Sequence, residues 1–371
     1  MIRNFGRKQF GPALLFAALV FFCGNWSTNA QTIRDMPPPP PAPTPKPTPT
    51  PAPKDEDFEV IRVSSNLVMA PVSVVDAKGE PFRGLQVADF RLEEEGREQQ
   101  ITEIGNPDEV PLDIAILFDV SSSVSQKGFF AFQQQAAASF LKQVMKPVDR
   151  AAVFTITDQP RLVAPLAAAE VAAAKILTIP AATTPVPTAF YDTVVAAAKY
   201  LVEKSADRHR RVIMVLSDGD DNFSNLVRDL TIAEYRANQK VTSAAAYQNL
   251  LERRRRAVVE VQKNVQQADA AFYSINPGGP SVHLNQISTR AQNNMESIAQ
   301  STGGSAYLPD GERDLQRVFS EIAAELRGQY LLQYYSNSQT GGGQFRRIAV
   351  TLPTHPELRV RARQGYYSKA K

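Results

Sequence analysis

The stretch Ile114–Ser123 constrains the fold of this chain more than any other segment. An apolar run of strand length, Ile114–Phe118, is followed by Asp119, Ser121 and Ser123 in a DxSxS pattern. An uninterrupted apolar run bounded by polar residues predicts a strand that is buried on both faces, as in a parallel sheet. Ligands of such sheets bind beyond the carboxyl ends of the strands, so these three side chains are candidates for a binding site.

Two later segments are predicted to reach the same edge of the sheet. Val215–Asp220 is a second strand that ends in an aspartate, Asp218, followed by glycine. Pro187–Asp192 is a loop entering a helix, with Thr188 as its predicted N-cap. Asp119 and Asp218 at adjacent strand ends would repel each other without a cation. Hydroxyl and carboxylate oxygens suit magnesium, manganese or calcium, and suit zinc or copper poorly.

The candidate residues also have purely structural interpretations. Thr188 could serve only as a helix cap, and Ser121 and Ser123 could be loop residues. Asp220 and Asp221 are interpreted as a solvated acidic turn and not as a second metal site. The histidines are scattered and show no metal-ligand spacing.

Three motifs in this order together resemble the von Willebrand factor A domain and its metal ion-dependent adhesion site. They are DxSxS, a threonine before a helix, and a strand ending in Ser-Asp-Gly. The resemblance covers about residues 110–328. The metal ligands that it implies are Asp119, Ser121, Ser123, Thr188 and Asp218. It implies direct coordination by the serines, direct or water-mediated coordination by the threonine, and mostly water-mediated coordination by the aspartates. It further implies Mg²⁺, with Mn²⁺ or Ca²⁺ as alternatives, and an open position for an Asp or Glu of a protein partner.

The flanking segments are similar to a bacterial group of exported von Willebrand A-related proteins. They are Val72–Asp76, Gly84–Leu85, Asp89–Phe90, Thr302–Gly304, Gln329–Leu332 and Gly365–Tyr367. Two features depart from that group, namely Pro185–Pro187 before the threonine and a longer polar insert over residues 222–268. The run Arg253–Arg256 in this insert is predicted to be the solvated face of a helix, with an anionic docking site as the alternative.

The first thirty residues predict export. A basic start precedes the apolar run Ala13–Cys23, which is too short to span a bilayer comfortably, and Thr28–Ala30 offers small residues to a signal peptidase. We expect residues 1–30 to be a signal peptide and the mature chain, without a transmembrane segment, to be periplasmic, cell-surface or extracellular. The mature chain has 38 basic and 38 acidic residues, so its charge does not indicate nucleic-acid binding.

The rest of the chain divides into four parts. Pro37–Pro53 holds 11 prolines in 17 residues, which predicts a linker over residues 31–57. Residues 58–108 have strand-like segments but are few for an independent core. Residues 109–328 alternate strand and helix signals, which predicts an α/β fold with a doubly wound, mostly parallel, Rossmann-like sheet. Residues 329–371 return to strands, and we expect them to complete one small β-sandwich-like domain with residues 58–108.

Periodicity also gives the elements of the α/β part. The predicted strands are Leu112–Phe118, Ala151–Thr157, Val212–Leu216 and Ala271–Ile275. The predicted helices are Lys127–Met145, Ala167–Leu177, Ala189–Lys204 and Leu315–Leu326.

These features favour a non-catalytic, adhesion-type protein-binding module over an enzyme. A phosphatase with Asp119 as nucleophile would have an acid two residues later, where Ser121 stands. A serine hydrolase would have a GxSxG elbow and a nearby histidine, and the chain has neither. An envelope scaffold with a vestigial metal site is the first alternative, and a metal-dependent hydrolase is the second.

Overall fold

Every residue of the strand Leu112–Asp119 is buried, as the sequence predicts for a strand covered on both faces. The structure is a computed structural model that describes residues 67–121, 124, 130–184, 186–228, 243–279, 286–338 and 342–368, without the side chains of residues 243, 244, 246, 286 and 287. The predicted signal peptide, the predicted proline-rich linker and Ser123 therefore lie outside the described residues.

The two ends of the described chain consist mainly of strands, and the middle alternates strands and helices. The strands are β1 (Leu67–Val75), β2 (Arg91–Glu94), β3 (Arg97–Gln99), β4 (Ile101–Gly105), β5 (Leu112–Asp119), β6 (Arg150–Ile156), β7 (Arg161–Ala167), β8 (Arg210–Leu216), β9 (Ala270–Ile275), β10 (Ala306–Tyr307), β11 (Tyr330–Tyr335), β12 (Phe345–Thr351), β13 (Arg359–Ala362) and β14 (Gly365–Tyr367). The helices are α1 (Phe130–Val144), α2 (Ala169–Ile176), α3 (Phe190–Lys204), α4 (Asn225–Arg228), α5 (Ser243–Gln267), α6 (Gln286–Thr302) and α7 (Glu312–Gly328), and a short 3₁₀ turn covers Val87–Asp89.

The central sheet has the strand order β10-β9-β8-β5-β6-β7. All neighbours are parallel except β6 and β7, which are antiparallel. Because the chain winds outward from β5 in both directions, the order reverses between β5 and β8. Such a reversal is the topological switch point at which open α/β sheets bind ligands.

Helices cover both faces of this sheet. On one face, Ile114, Ile116 and Phe118 of β5 share a core with α1, α2 and α7. On the other face, Ala115 and Leu117 share a core with α3, α5 and α6. This alternation confirms the predicted doubly wound α/β fold.

The two ends of the chain form a β-sandwich. One sheet has the order β13-β1-β11-β4 and the other has the order β14-β12-β2-β3, with antiparallel neighbours throughout. Val72, Leu92, Leu332 and Ile348 are among the apolar residues that fill the space between the sheets. The predicted pairing of early and late strands is therefore present, and the exact domain limits remain a prediction.

A buried carboxylate joins the sandwich to the α/β domain. Glu325, near the end of α7, accepts hydrogen bonds from Ser73 Oγ of β1 at 2.8 Å and Tyr273 OH of β9 at 2.6 Å. It also forms an ion pair with Arg361 of β13. Because a buried charge is costly without such partners, these contacts fix the end of α7 against both parts.

The Thr302–Gly304 motif lies at the same junction. Thr302 Oγ1 accepts a hydrogen bond from the Phe272 backbone N–H at 3.1 Å. A Cβ atom on Gly304 would lie 1.9 Å from the Phe272 carbonyl oxygen, so only glycine fits there. The motif therefore serves close packing of α6 on β9.

Each predicted strand and helix of the α/β domain is present, and its ends differ from the prediction by at most three residues. The predicted elements lack α6, whose apolar residues are sparse, the short elements α4 and β10, and the antiparallel strand β7, which contains a proline typical of an edge strand. None of the described helices has the length and apolar character needed to cross a membrane.

The polar insert predicted over residues 222–268 is in part a core element, and the expectation of a solvated arginine run holds only in part. Helix α5 buries Ala257, Val261 and Val265 against the sheet. The arginine run is solvated only in part, because Arg253 and Arg254 are half-buried and donate to the carbonyl oxygens of Val227 and Asp221, respectively.

Leu332→Ala should destabilise the protein by about 3 kcal/mol, because it leaves a cavity at a fully buried position between the sheets. Amide hydrogens of β1, which pairs with β11, should lose protection from exchange. Urea unfolding and hydrogen exchange measure the two effects. The control Tyr335→Ala, at a position 54% exposed on the same strand, should cost less than about 1 kcal/mol. Equal losses in the two variants would contradict this packing.

Candidate metal centre

Asp119 ends β5 and is completely buried. Its Oδ1 atom accepts a hydrogen bond from the Ser121 backbone N–H at 2.8 Å. Its Oδ2 atom accepts one from Ser217 Oγ, just beyond β8, at 2.6 Å. The ends of β5 and β8 are thus joined across the switch point through one carboxylate.

Asp218 follows directly and is half-buried at the same edge. Burial, together with the negative charge of Asp218, raises the pKa of Asp119 to about 6, although bonds from Ser217 and Ser121 oppose this rise. The backbone turns sharply at Gly219, which has a φ of +75°. A Cβ at this position would lie 2.7 Å from the Met295 side chain, so glycine is the residue that fits. The Ser-Asp-Gly sequence thus turns the chain away from the sheet beside Asp119.

Thr188 is buried and is held against the loop that follows Asp218. Its backbone N–H donates to Asn222 Oδ1 at 2.8 Å, and its carbonyl oxygen accepts from the N–H groups of Asn222 and Phe223 at 3.1 Å. The threonine loop and the aspartate loop therefore form one connected unit.

The prediction that Thr188 caps the following helix is wrong. Helix α3 begins at Phe190, and the residue in the N-cap position is Ala189, which makes no side-chain cap. The first turn is capped from another loop instead, since Tyr191 N–H donates to Asp221 Oδ2 at 2.8 Å and Asp192 N–H donates to Ser224 Oγ at 3.0 Å. Thr188 is therefore not needed for the cap.

The interpretation of Asp220 and Asp221 as a solvated turn is wrong for Asp221. This residue is 3% exposed, and besides Tyr191 N–H it accepts bonds from the N–H groups of Phe223 and Ser224 and from Ser224 Oγ. Asp220 is half-buried, and burial together with the charge of Asp218 raises the pKa of its carboxyl, although Arg254 and the Asp221 backbone N–H oppose this rise. The two adjacent acids thus have different environments.

Helices α3 and α4 cap each other through these loops. Asp192 of α3 accepts hydrogen bonds from the N–H groups of Asn225 at 2.8 Å and Leu226 at 3.4 Å, the first residues of α4. Negative charge is favourable at a helix N-terminus, so the arrangement stabilises both helices. It also fixes the loop between Asp218 and α4.

The structure brings the described candidates to one edge of the sheet, at the carboxyl ends of β5 and β8. These candidates are Asp119, Ser121, Thr188 and Asp218. Two carboxylates and two hydroxyls form a hard oxygen donor set, which fits magnesium, manganese or calcium. In the described part of the chain, no three His, Cys, Asp or Glu side chains cluster as metal ligands. The roles of these residues as ligands remain a prediction.

Sequence reasoning missed the residues that hold this edge in place, chiefly Ser217, Asn222 and Ser224. The spacing Asp221-x-x-Ser224 is a recognisable turn signal, because an aspartate often accepts backbone bonds from the next two or three residues. The contact of Asn222 with Thr188 spans 34 residues, and no local pattern indicates it.

The two described histidines lie away from these residues. His209 Nδ1 is 3.0 Å from Asp113 Oδ2, at the amino end of β5. His355 is close to Asp89 and Glu357 in the β-sandwich. Neither histidine can act on a group bound at the carboxyl edge of the sheet.

Comparison with known proteins gives one family match. The family model described as the von Willebrand factor type A domain matches residues 113–302, slightly more than half of the chain. No curated protein matches the chain.

Similar solved structures include an aerotolerance-related membrane protein from Bacteroides fragilis NCTC 9343, with 12% identity, a TM-score of 0.40, and coverage of 58% of this chain and 98% of that chain. The vWF domain of the type V pili tip protein Mfa5 from Porphyromonas gingivalis has 14% identity, a TM-score of 0.42, and coverage of 58% and 94%. Proximal thread matrix protein 1 from the mussel byssus has 14% identity, a TM-score of 0.42, and coverage of 61% and 49%.

Asp221→Ala should destabilise the protein by about 3 kcal/mol, because it leaves the buried N–H groups of Tyr191 and Ser224 without their acceptor. The adjacent variant Asp220→Ala removes the same charge and should change the free energy of unfolding by less than about 0.5 kcal/mol. Urea titration of both variants measures the difference. Similar values for the two would show that the Asp221 network does not hold this edge.

Proposed function

We propose, because this chain belongs to the von Willebrand factor type A domain family, that it is a metal-dependent protein-binding module. In this proposal, the carboxyl edge of the central sheet holds a divalent cation, and the cation binds an acidic group of a protein partner. The adhesion-type activity would belong to an exported protein, as the first thirty residues predict.

The observation that carries the proposal is the repulsion between the carboxylates of Asp119 and Asp218 at the switch point. Asp119 is completely buried, and the charge of Asp218 adds to the effect of burial in raising its pKa. No described Lys, Arg or His forms an ion pair with either carboxylate. Because two like charges are unfavourable together, a bound cation would relieve the repulsion.

The donor set supports magnesium over softer metals. Ser121, Ser123 and Thr188 would offer hydroxyls in direct contact, and the two aspartates would act mostly through water. When bound, the ion supplies an electrophilic position that attracts a carboxylate. Because little full negative charge would touch the ion, an Asp or Glu from outside is the partner group with the strongest attraction.

A non-catalytic role agrees with the chemistry of the described residues. The residue two places after Asp119 is Ser121, where an aspartate-dependent phosphatase would have an acid. His209 and His355 contact carboxylates elsewhere in the fold. A substrate-panel assay that detected hydrolysis would favour the metal-dependent hydrolase instead.

Mg²⁺ should raise the melting temperature of the mature protein, because a ligand that binds only the folded state stabilises it by mass action. Asp119→Asn should abolish the rise while preserving the fold, since the asparagine Oδ1 can still accept the bond from Ser121 N–H and its Nδ2 can donate to Ser217 Oγ. Its melting temperature in chelator should be at least that of the wild type, because the repulsion by Asp218 is gone. Differential scanning calorimetry with Mg²⁺ and with EDTA measures both effects.

Asp220→Asn provides the matched control, because it neutralises an acid of the same loop that is not a proposed ligand. This variant should keep the Mg²⁺-induced rise. An equal response of the wild type and Asp119→Asn to Mg²⁺ would contradict the assigned site.

A further inference from the structure

A cavity of about 380 Å³ lies beside the proposed metal edge. Its walls come from α5, α6 and the loop Gly219–Asp221, which directly follows the proposed ligand Asp218. Three consecutive Cα–Cα steps separate Asp218 from Asp221, so these two Cα atoms are at most about 11 Å apart. A group in the cavity would therefore lie close to a group on the cation.

Three arginines line this cavity, namely Arg254, Arg255, which also forms an ion pair with Glu252, and Arg290, whose Nη1 donates to Tyr247 OH at 3.0 Å. Two carboxylates, those of Asp220 and Asp221, are also part of the lining, so three cationic and two anionic side chains leave it with a net charge of +1. Asp221 already accepts hydrogen bonds from the N–H groups of Tyr191 and Ser224.

Arg254 is half-buried and contributes unused hydrogen-bonding capacity. Its Nη2 atom donates to the Asp221 carbonyl oxygen at 3.2 Å. Its Nε atom is buried and has no hydrogen-bond partner among the described residues. A buried donor without an acceptor is costly, so an acceptor that enters the cavity would be favoured.

The remaining lining suits a peptide. Val258, Val259 and Leu251 offer apolar contact to the methylene groups of a side chain, and Asn294 and Gln262 offer amides to a peptide backbone. A volume of about 380 Å³ is at the lower end of the range for ligand pockets, which suits one side chain with part of its backbone.

We propose that this cavity is a second anchoring site for the acidic protein partner. One acidic side chain of the partner binds the cation, and a second acidic side chain from the same segment enters the cavity and pairs with its arginines. The spacing of the two acids is about two to four residues, since an extended chain advances about 3.3 Å per residue. This inference rests on the proposed function, and it specifies a partner segment with two acids in place of one.

Synthetic peptides with a neutral fluorophore provide the probe. Each peptide is a glycine chain with two glutamates separated by one to four glycines, and its partner peptide has glutamine in place of the second glutamate. With Mg²⁺ and the full mature chain, the best two-glutamate peptide should bind about tenfold more tightly than its one-glutamate partner, as expected for one added charge-assisted pair. Fluorescence anisotropy measures both affinities.

Two matched pairs of variants locate the second glutamate. Arg255→Gln should remove most of the tenfold gain, and Arg256→Gln, with the same charge change outside the cavity lining, should keep it. Val259→Glu places a negative charge at a cavity position that is 55% exposed, and it should remove the tenfold gain in affinity. Its control Val202→Glu, at a position on α3 that is 52% exposed, should keep the gain. All four variants should retain the Mg²⁺-induced rise in melting temperature and the binding of the one-glutamate peptide.

The outcomes separate the two proposals. If Mg²⁺ fails to stabilise the wild type, or fails to promote binding of the one-glutamate peptide, the proposed function fails. If one-glutamate binding depends on Mg²⁺ but the second glutamate adds nothing at any spacing, or its gain survives both Arg255→Gln and Val259→Glu, the second anchoring site is overturned. Absence of binding by every peptide at millimolar concentration overturns both.

Discussion

Burial of β5 on both faces is the constraint on which the rest of the structure depends. Its even-numbered and odd-numbered side chains enter two different helical cores, so polar groups of this strand can meet ligands only at its ends. At the carboxyl end, the order of the strands reverses between β5 and β8, which leaves a gap outside the sheet edge. Asp119 and Asp218 stand at that gap, and their mutual repulsion is a consequence of the strand order.

The neighbouring loops hold these groups in place through hydrogen bonds. Asp221, Ser224 and Asp192 exchange bonds between the loops and the first turns of α3 and α4, and Asn222 fixes Thr188 from the other side. Such bonds position the two loops before any ligand arrives, so binding would not require ordering them. Preorganisation of this kind reduces the entropic cost of recognition.

The sequence was sufficient for the four central strands of the sheet, because each is a short apolar run, and it located the candidate ligands at the carboxyl edge from a short motif, while their role as ligands remains a prediction. It was insufficient where the deciding partner is distant in sequence. Threonine is a common N-cap residue, so Thr188 was the expected cap of α3. The first turn of α3 is instead capped by Asp221 and Ser224, which lie about 30 residues later in the sequence. Helix α6 was missed because its apolar residues are few, and Arg254 was expected in solvent because composition does not show which side of α5 faces the loop.

The insertion of the α/β domain between β4 and β11 also has a mechanical consequence. A tensile load applied at Leu67 and at the last described residue, Ser368, enters and leaves through the β-sandwich. The load is borne by the hydrogen-bond ladders of β1 with β11 and β13 and by the packing between the two sheets. The strands that bear the candidate metal ligands are outside this path, so the sandwich would shield the binding edge from stretching at the chain ends.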